Sequence, residues 1–311
     1  MFTIYKTTKA GLEIIDNLSN GCWVNIINPS ADEIIQLQQL LEIPQDFITY
    51  PLDIEEMARD DKEEGSSLIV LRVPHFQGTA SDVPYVTIPT GIIITSKGVI
   101  ATICQIETDV IRGMMLGQTR GFSTFKHNRF ILHLLLKTAN QYLSALREIN
   151  KLVDDLEDQL QHSLRNRELV GLLKYQKSLV YFTTALKSNE LLIEHLQKKD
   201  MFRKYPDDGD LLDDVLTEIQ QAIQMTNTSS NILSQMMGAY AALISNNLNS
   251  VMKFLASVTI VVSLPTMLAS FFGMNVNLPL QNSPWTFHLI VTLAVILSIS
   301  VLIVLWKKDW L

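Results

Sequence analysis

Polar and small side chains recur in the C-terminal third of the sequence at alternating steps of three and four residues. Such steps place side chains along one face of a helix. A coiled coil carries apolar residues in this register, so a polar face here is suited to contact with water. We call this register the polar seam; its members are Asp214, Thr217, Gln221, Gln224, Thr228, Asn231, Gln235, Gly238, Ala242, Ser245, Asn249, Met252, Ala256, Thr259, Ser263, Thr266, Ser270 and Gly273.

Charge and composition limit the possible partners and activities. The chain has 32 acidic and 25 basic residues and a net charge of −7, which argues against nucleic acid as a partner and favours a cation. It has no Gly-rich phosphate loop, and none of its six His residues has metal-site spacing, so we expect no enzyme. Cys22 and Cys104 are too few for a disulfide framework and fit a reducing cytosol.

A stretch from Phe254 to Trp306 contains no Asp, Glu, Lys or Arg. Gly, Asn and Pro residues between 273 and 284 divide it into two apolar segments. Each segment is close to the ~20 residues that a helix needs to cross a bilayer. Hydrocarbon offers the backbone no other partner, so we predict two transmembrane helices. The alternative is a soluble hairpin that is buried in a larger core.

The flanking charges predict the orientation of these helices. Lys253 precedes the first segment, Lys307 and Lys308 follow the second, and the connecting loop has no positive charge. The positive-inside rule therefore places both termini in the cytosol, in a multi-pass protein of the cell (inner or plasma) membrane. Residues 1–12 contain no apolar run, so we expect the hairpin itself to direct insertion.

The polar seam continues from the charged part of the chain into the first apolar segment. In the charged part it could simply be a solvated face. In the membrane, a single Ser or Thr can bond to its own helix or pack between helices. Continuity across the boundary instead indicates that several copies of this helix surround a water-filled path. Two spans cannot enclose a pore, so we predict a ring of identical subunits.

The sequence predicts an α+β cytosolic domain, then long helices and a two-helix transmembrane hairpin. The expected strands are Cys22–Ile27, Leu68–Val73, Tyr85–Ile88, Gly91–Thr95 and Val99–Cys104. We expect helices at Ser30–Leu41, from Pro44 and at Asp53–Ala58, and a loop at Arg59–Glu64. The predicted division is 1–120 α/β domain, 121–205 antiparallel helical hairpin with its tip near Asn166, 206–272 stalk helix continuing into the first span, 273–285 external loop, 286–306 second span and 307–311 basic tail.

Short motifs around the hairpin resemble a known family. Gly273-Met274-Asn275 follows the first span, with Asn277 and Pro279 after it, and the chain ends Lys307-Lys308-Asp309-Trp310-Leu311. With the two spans and the long helix, these features are similar to the CorA family of magnesium/cobalt transporters. The resemblance covers the whole chain. It implies a homopentamer with a funnel-shaped cytosolic domain, which transports divalent cations, chiefly Mg²⁺, across the lipid bilayer.

The resemblance also implies roles for particular residues. Gly273, Met274 and Asn275 would form the selectivity filter, where a ring of Asn275 amides holds the hydrated ion through its water shell, since Mg²⁺ dehydrates reluctantly. Met252 and Leu255 would form an apolar constriction that gates by excluding water. The pore-lining positions would be Asn249, Met252, Leu255, Ala256, Thr259, Ser263, Thr266 and Ser270.

The family is gated by intracellular Mg²⁺ bound between neighbouring cytosolic domains. Asp214, assisted by Asp213, matches a sensing carboxylate, and Asp82 of the adjacent subunit is one candidate partner. The alternative for Asp213-Asp214 is complementation of the helix dipole. Three functional alternatives stay open: a Zn²⁺, Co²⁺ or Ni²⁺ transporter of the same family, a proton-coupled carrier, and a membrane-anchored sensor that does not conduct.

Overall fold

The computed structural model describes residues 2–9, 11–116, 122–162, 166–199, 201–202, 206–274, 283, 285–308 and 310. Within them, seven strands form one sheet in the order β2-β1-β3-β7-β6-β5-β4. The strands are β1 Phe2–Thr8, β2 Gly11–Ile14, β3 Cys22–Ile27, β4 Arg59–Glu63, β5 Ser66–Phe76, β6 Tyr85–Ile94 and β7 Ile100–Cys104. β3 and β7 pair in parallel, and the other neighbours are antiparallel.

Helices cover both faces of this sheet because its central strands are apolar on both sides. On one face, Val24 and Ile26 pack in a core with helices α1 (Ala31–Leu41) and α2 (Gln45–Thr49). The Ser30 hydroxyl accepts from the Glu33 amide at 3.2 Å, and the Ser30 amide donates to the Glu33 carboxylate at 2.9 Å, so a capping box starts α1. On the other face, the Trp23 ring lies 5.3 Å from that of Phe130.

Two long helices, α4 (His127–His162) and α5 (Asn166–Lys198), pack as an antiparallel pair. The rings of Tyr142 and Phe182 lie 5.0 Å apart in the middle of the pair. Closer to the connection, a Cβ atom at Gly171 would lie 3.1 Å from the Leu156 side chain. Two long helices therefore lie where the helical hairpin is predicted, and its predicted tip falls at residues 163–165, outside the described residues.

The remaining helices are α3 (Asp109–Met115), α6 (Pro206–Phe272) and α7 (Thr286–Lys307). The helix predicted to run on towards Phe272 is therefore present as α6, which contains Pro265. Two compact units divide the chain, Met1–Gln235 and Met236–Leu311.

Two local predictions were wrong. The charged segment predicted as a loop at Arg59–Glu64 forms β4, which pairs with β5. Its Asp60 contacts His195 Nδ1 of α5 at 2.6 Å and Lys199 Nζ, directly after α5, at 2.5 Å. These hydrogen bonds outweigh burial and lower the pKa of the Asp60 carboxyl. Asp53–Ala58 is not a helix, because a 3-10 turn at Tyr50–Leu52 precedes it and the Asp53 carboxylate accepts from the Glu55 amide at 3.0 Å.

The other strand predictions were close. The two strands predicted at Tyr85–Ile88 and Gly91–Thr95 are one continuous strand, β6. Sequence reasoning missed the β1–β2 hairpin and α3. Both cysteines are free and buried, and burial, with the charge of Glu107, raises the pKa of the Cys104 thiol to about 12.

Candidate functional site

The two apolar helices lie largely exposed on this single chain. In the most apolar 18-residue stretch of each helix, α6 and α7, only 6% is buried. Val262 and Phe287, for example, are 62% and 71% exposed. A soluble core hairpin would bury such residues, so that interpretation is wrong. Their length and composition suit two membrane spans.

Within the C-terminal unit, each of these helices buries one narrow stripe. Small residues let the two helices approach: the Ser298 hydroxyl donates to the Val261 carbonyl at 3.5 Å, and the Ser257 hydroxyl to the Trp310 carbonyl at 3.4 Å. The less exposed positions of α6 are Ser257, Val261, Leu264 and Leu268, and those of α7 are Thr286, Ile290, Ala294, Ser298, Val301 and Leu305.

The polar seam lies on the opposite side of α6 from this stripe. At 3.6 residues per turn, its positions between Met252 and Ser270 are centred about 150° around the helix from the Ser257 stripe. The predicted pore-lining residues are all exposed in the single chain: Asn249, Met252, Leu255, Ala256, Thr259, Ser263, Thr266 and Ser270. Contact with α7 therefore leaves this face available.

Three hydroxyl groups of the seam in the first apolar segment donate to their own helix. Thr259 donates to the Leu255 carbonyl at 2.8 Å, Ser263 to that of Ile260 at 2.9 Å, and Thr266 to that of Val262 at 3.0 Å. These bonds satisfy the hydroxyl hydrogens without water. The oxygen lone pairs remain as acceptors for a water file or a hydrated cation.

The same division of faces holds in the part of α6 that belongs to the N-terminal unit. There α6 buries a regular stripe that includes Leu212, Val215, Ile219, Ala222 and Leu233. The polar seam from Asp214 to Gln235 is again about opposite, and all its members are exposed. In both units, contacts within the chain therefore leave the seam uncovered.

The motif after α6 is only partly described. Gly273 donates its amide to the Ala269 carbonyl at 3.0 Å, and Met274, which is 50% exposed, donates to the Phe271 carbonyl at 3.3 Å. A Cβ atom at Gly273 would lie 3.3 Å from the Ala269 oxygen, so the close turn after the helix favours glycine. Asn275 lies outside the described residues, and its role stays a prediction.

The predicted sensing residues, Asp213, Asp214 and Asp82, are exposed in the single chain. α6 begins at Pro206, so Asp213 and Asp214 lie about two turns inside it. The dipole effect is confined to the first turn, which removes the helix-dipole interpretation. Asp82 lies 4.0 Å from Lys174 Nζ of its own chain. Among the described residues, no group of three or more His, Cys, Asp or Glu could hold a metal ion.

Sequence reasoning missed a buried ion pair at the start of α6. Arg129 Nε on α4 lies 2.9 Å from Asp208 Oδ1, and the Asp208 side chain is 1% exposed. In the sequence, Asp208 is one of three acidic residues between Pro206 and Asp210, a pattern that signals a turn and a helix start. Nothing in that pattern distinguishes the one aspartate that becomes buried.

An α+β N-terminal part, long helices and two apolar C-terminal helices with an exposed polar seam define a membrane protein of the ion-transporter class. A model of the family described as CorA-like Mg2+ transporter protein matches residues 19–308. The chain therefore belongs to the CorA-like Mg²⁺ transporter family, which is a family of transporters and not of enzymes.

Individual relatives agree with this family. The chain is 24% identical over 299 residues to the cobalt/magnesium transport protein CorA of Methanocaldococcus jannaschii, covering 93% of this chain and 91% of the relative. The complete structure of that organism's CorA superposes with a TM-score of 0.84 at 22% identity, over 100% of this chain and 99% of the other. The cytoplasmic domain of ZntB from Vibrio parahaemolyticus has the same fold, with a TM-score of 0.62 at 10% identity over 78% of this chain and 98% of that domain.

Proposed function

We propose that this chain is one subunit of a homopentameric Mg²⁺ channel or transporter of the cell membrane. Five copies of α6 would surround the path with their polar seams facing inward. Both termini would lie in the cytosol. The observation that carries this proposal is the exposed seam, which lies opposite the packed face of α6 in each unit of the chain.

The ion would enter through a ring formed by Asn275, with Gly273 and Met274 shaping the turn. Amide oxygens would accept hydrogen bonds from the water shell of the ion, which Mg²⁺ gives up reluctantly. Further in, the seam supplies acceptor oxygens at Thr266, Ser263 and Thr259 along the path. Water and ion would therefore move together through most of the span.

The path would close at the cytosolic end of the span. Met252 is 57% exposed and Leu255 is 57% exposed in the single chain. Copies of these residues around a ring would make a narrow apolar section from which water is expelled. Opening would require the α6 helices to separate or rotate at this level.

Regulation would use Mg²⁺ on the cytosolic side. Asp214, with Asp213, would bind the ion together with water and an acidic residue of the adjacent subunit, for which Asp82 is a candidate. Because Asp214 and Asp82 are exposed in the single chain, both are available to a second copy. A site of one or two carboxylates completed by water suits Mg²⁺.

Co²⁺ is the second candidate cargo, because the relative from M. jannaschii is named a cobalt/magnesium transport protein. Flux into proteoliposomes would test both, with Mg²⁺, Co²⁺, Ni²⁺ and Zn²⁺ compared with and without a proton gradient. We expect Mg²⁺ flux that needs no proton gradient. Flux of Zn²⁺ alone, or flux that requires the gradient, would replace this proposal with a Zn²⁺ or proton-coupled carrier, and no flux would favour a non-conducting sensor.

A further inference from the structure

The start of α6 is held against α4 by a buried cluster of charged and titratable side chains. Arg129, His133 and Lys137 lie at successive helical turns of α4, and Asp208 comes from the first turn of α6. Arg129 pairs with Asp208 Oδ1 at 2.9 Å, and Lys137 Nζ donates to the Gly113 carbonyl of α3 at 3.1 Å. The cluster therefore contains two cations, Arg129 and Lys137, and one carboxylate, Asp208.

Two polar atoms of this cluster have no hydrogen-bond partner. Among the described residues, His133 Nε2 and Asp208 Oδ2 are both buried and unpaired. The His133 residue is only 9% exposed and Asp208 only 1%. An unpaired buried polar atom destabilises the folded state, so two of them at one junction need an explanation besides packing.

We propose that this junction is a proton-sensitive joint, in which protonation of His133 loosens the start of α6 from α4. A charged imidazole here would be a third cation on one stripe of α4, with Asp208 as the opposing carboxylate that already pairs with Arg129. α3 contributes the Gly113 carbonyl to the cluster, and the charges that act on His133 are those of Arg129, Lys137 and Asp208. Repulsion and the lost hydration of the buried imidazolium oppose its formation in the packed state.

The direction of the pH effect follows from the environment of His133. Burial, then the charges of Arg129 and Lys137, lower the pKa of the imidazole, and Asp208 offsets them only in part. A histidine with a lowered pKa in the folded state stabilises that state while it is neutral. This contribution is fully present above the unfolded pKa of about 6.5 and is lost as the pH falls from there through the lower folded value.

The consequence for transport rests on the proposed function, in which α6 carries the polar seam. Loosening the first turns of α6 would add a response to cytosolic acid that needs neither Asp214 nor bound Mg²⁺. Local opening of a helix end is a graded event that need not unfold the rest of the molecule. The test below measures the joint itself, so its outcome does not depend on whether the protein transports Mg²⁺.

The test is amide hydrogen exchange of the full-length protein in detergent at pH 7.5 and pH 5.8, corrected for intrinsic exchange. We follow the segment 206–215 and use β6 as the internal reference. A free histidine with a pKa of about 6.5 is mostly neutral at pH 7.5 and mostly charged at pH 5.8, so we expect opening of this segment to rise at pH 5.8, by up to about fivefold if only the opened state takes up the proton. In His133→Gln the rise should disappear, whereas the control His75→Gln, on β5, should retain it.

Deuterium exchange at histidine Cε1 supplies a second measurement on the wild-type protein, which avoids any folding defect of a variant. Its pH profile gives the titration midpoint of each histidine separately. A midpoint for His133 below that of a free histidine supports the joint. A midpoint at or above the free value overturns the proposal, as does opening of 206–215 that is independent of pH or equally pH-dependent in His133→Gln.

Discussion

At the scale of the residue, the proposed filter depends on the amide of Asn275. If that amide holds the hydrated ion, Asn275→Ala should abolish Mg²⁺ uptake while pentamers still form, because the methyl group cannot bind water. Asn275→Asp should keep binding but discriminate less among divalent ions, since a charge replaces a shaped ring of hydrogen bonds. Uptake into proteoliposomes and the size of the purified assembly measure the two properties.

The matched control for this prediction is Asn247→Ala. Asn247 is an exposed amide on α6 that lies off the polar seam, so its removal takes away the same chemistry at another place. We expect its uptake to match that of the wild type. Wild-type uptake by Asn275→Ala itself would show that the ion is selected elsewhere.

Met252 carries the prediction for the gate. Met252→Ser would put a small polar group in the constriction, so water should enter it and Mg²⁺ conductance should rise. Val258→Ser is the control, because Val258 lies on α6 about 120° away from the centre of the seam. Flux that is equal in Met252→Ser and wild type would place the narrow point at another residue.

At the scale of the element, Gly91 shows how closely the turn Tyr50–Leu52 packs on β6. A Cβ atom there would clash with Pro51 Cγ, and Pro51 is buried. Gly91→Ala should therefore lower the free energy of unfolding by about 1–3 kcal/mol, as overpacking of a core does. Gly209→Ala on α6 is the control, since its Cβ would meet nothing within 4 Å. Chemical denaturation of the N-terminal unit, monitored by tryptophan fluorescence, measures both; equal stability of the two variants would contradict the prediction.

The elements differ in how far the sequence alone could reveal them. α6 was predictable because from Leu211 to Leu264 its sequence has no proline and only Gly238 as a glycine. β4 was not, because its five residues are Arg-Asp-Asp-Lys-Glu and its stability comes from pairing with β5 and from the contact of Asp60 with His195 of α5. The contact with His195 joins positions 135 residues apart, and a run of five charged residues has no local strand propensity that would reveal the pairing with β5.

The residues of the candidate site also differ in whether the sequence alone could reveal them. The polar seam could be identified from periodicity, and its exposure along α6 agrees with that prediction. The Arg129–Asp208 pair could not, because its partners are 79 residues apart and the acidic residues around Asp208 all suit a helix start. Periodicity identifies faces of helices, whereas individual tertiary pairs require the fold.

At the scale of the whole molecule, the proposed regulation depends on Mg²⁺ bound at Asp214 between subunits. A ligand shifts a conformational equilibrium only through its differential affinity for the two states. At ten times its Kd, an ion that binds only the closed state would contribute about 1.4 kcal/mol per site. Five such sites would exceed the roughly 5.5 kcal/mol that a nearly complete population switch needs. Weak individual sites are therefore sufficient in a ring of five.

The corresponding variant is Asp214→Ala, which should weaken closure by Mg²⁺ because each subunit interface loses a carboxylate. Asp214→Lys should instead favour closure without Mg²⁺, since a fixed positive charge replaces the ion and can pair with the opposing carboxylate. Limited proteolysis of α6 with and without Mg²⁺ measures this, with Asp210→Ala as the control for loss of an exposed acidic residue near the same helix end. We expect Mg²⁺ to protect the wild type and Asp210→Ala but not Asp214→Ala. Equal protection of all three would show that Asp214 contributes surface charge and does not sense the ion.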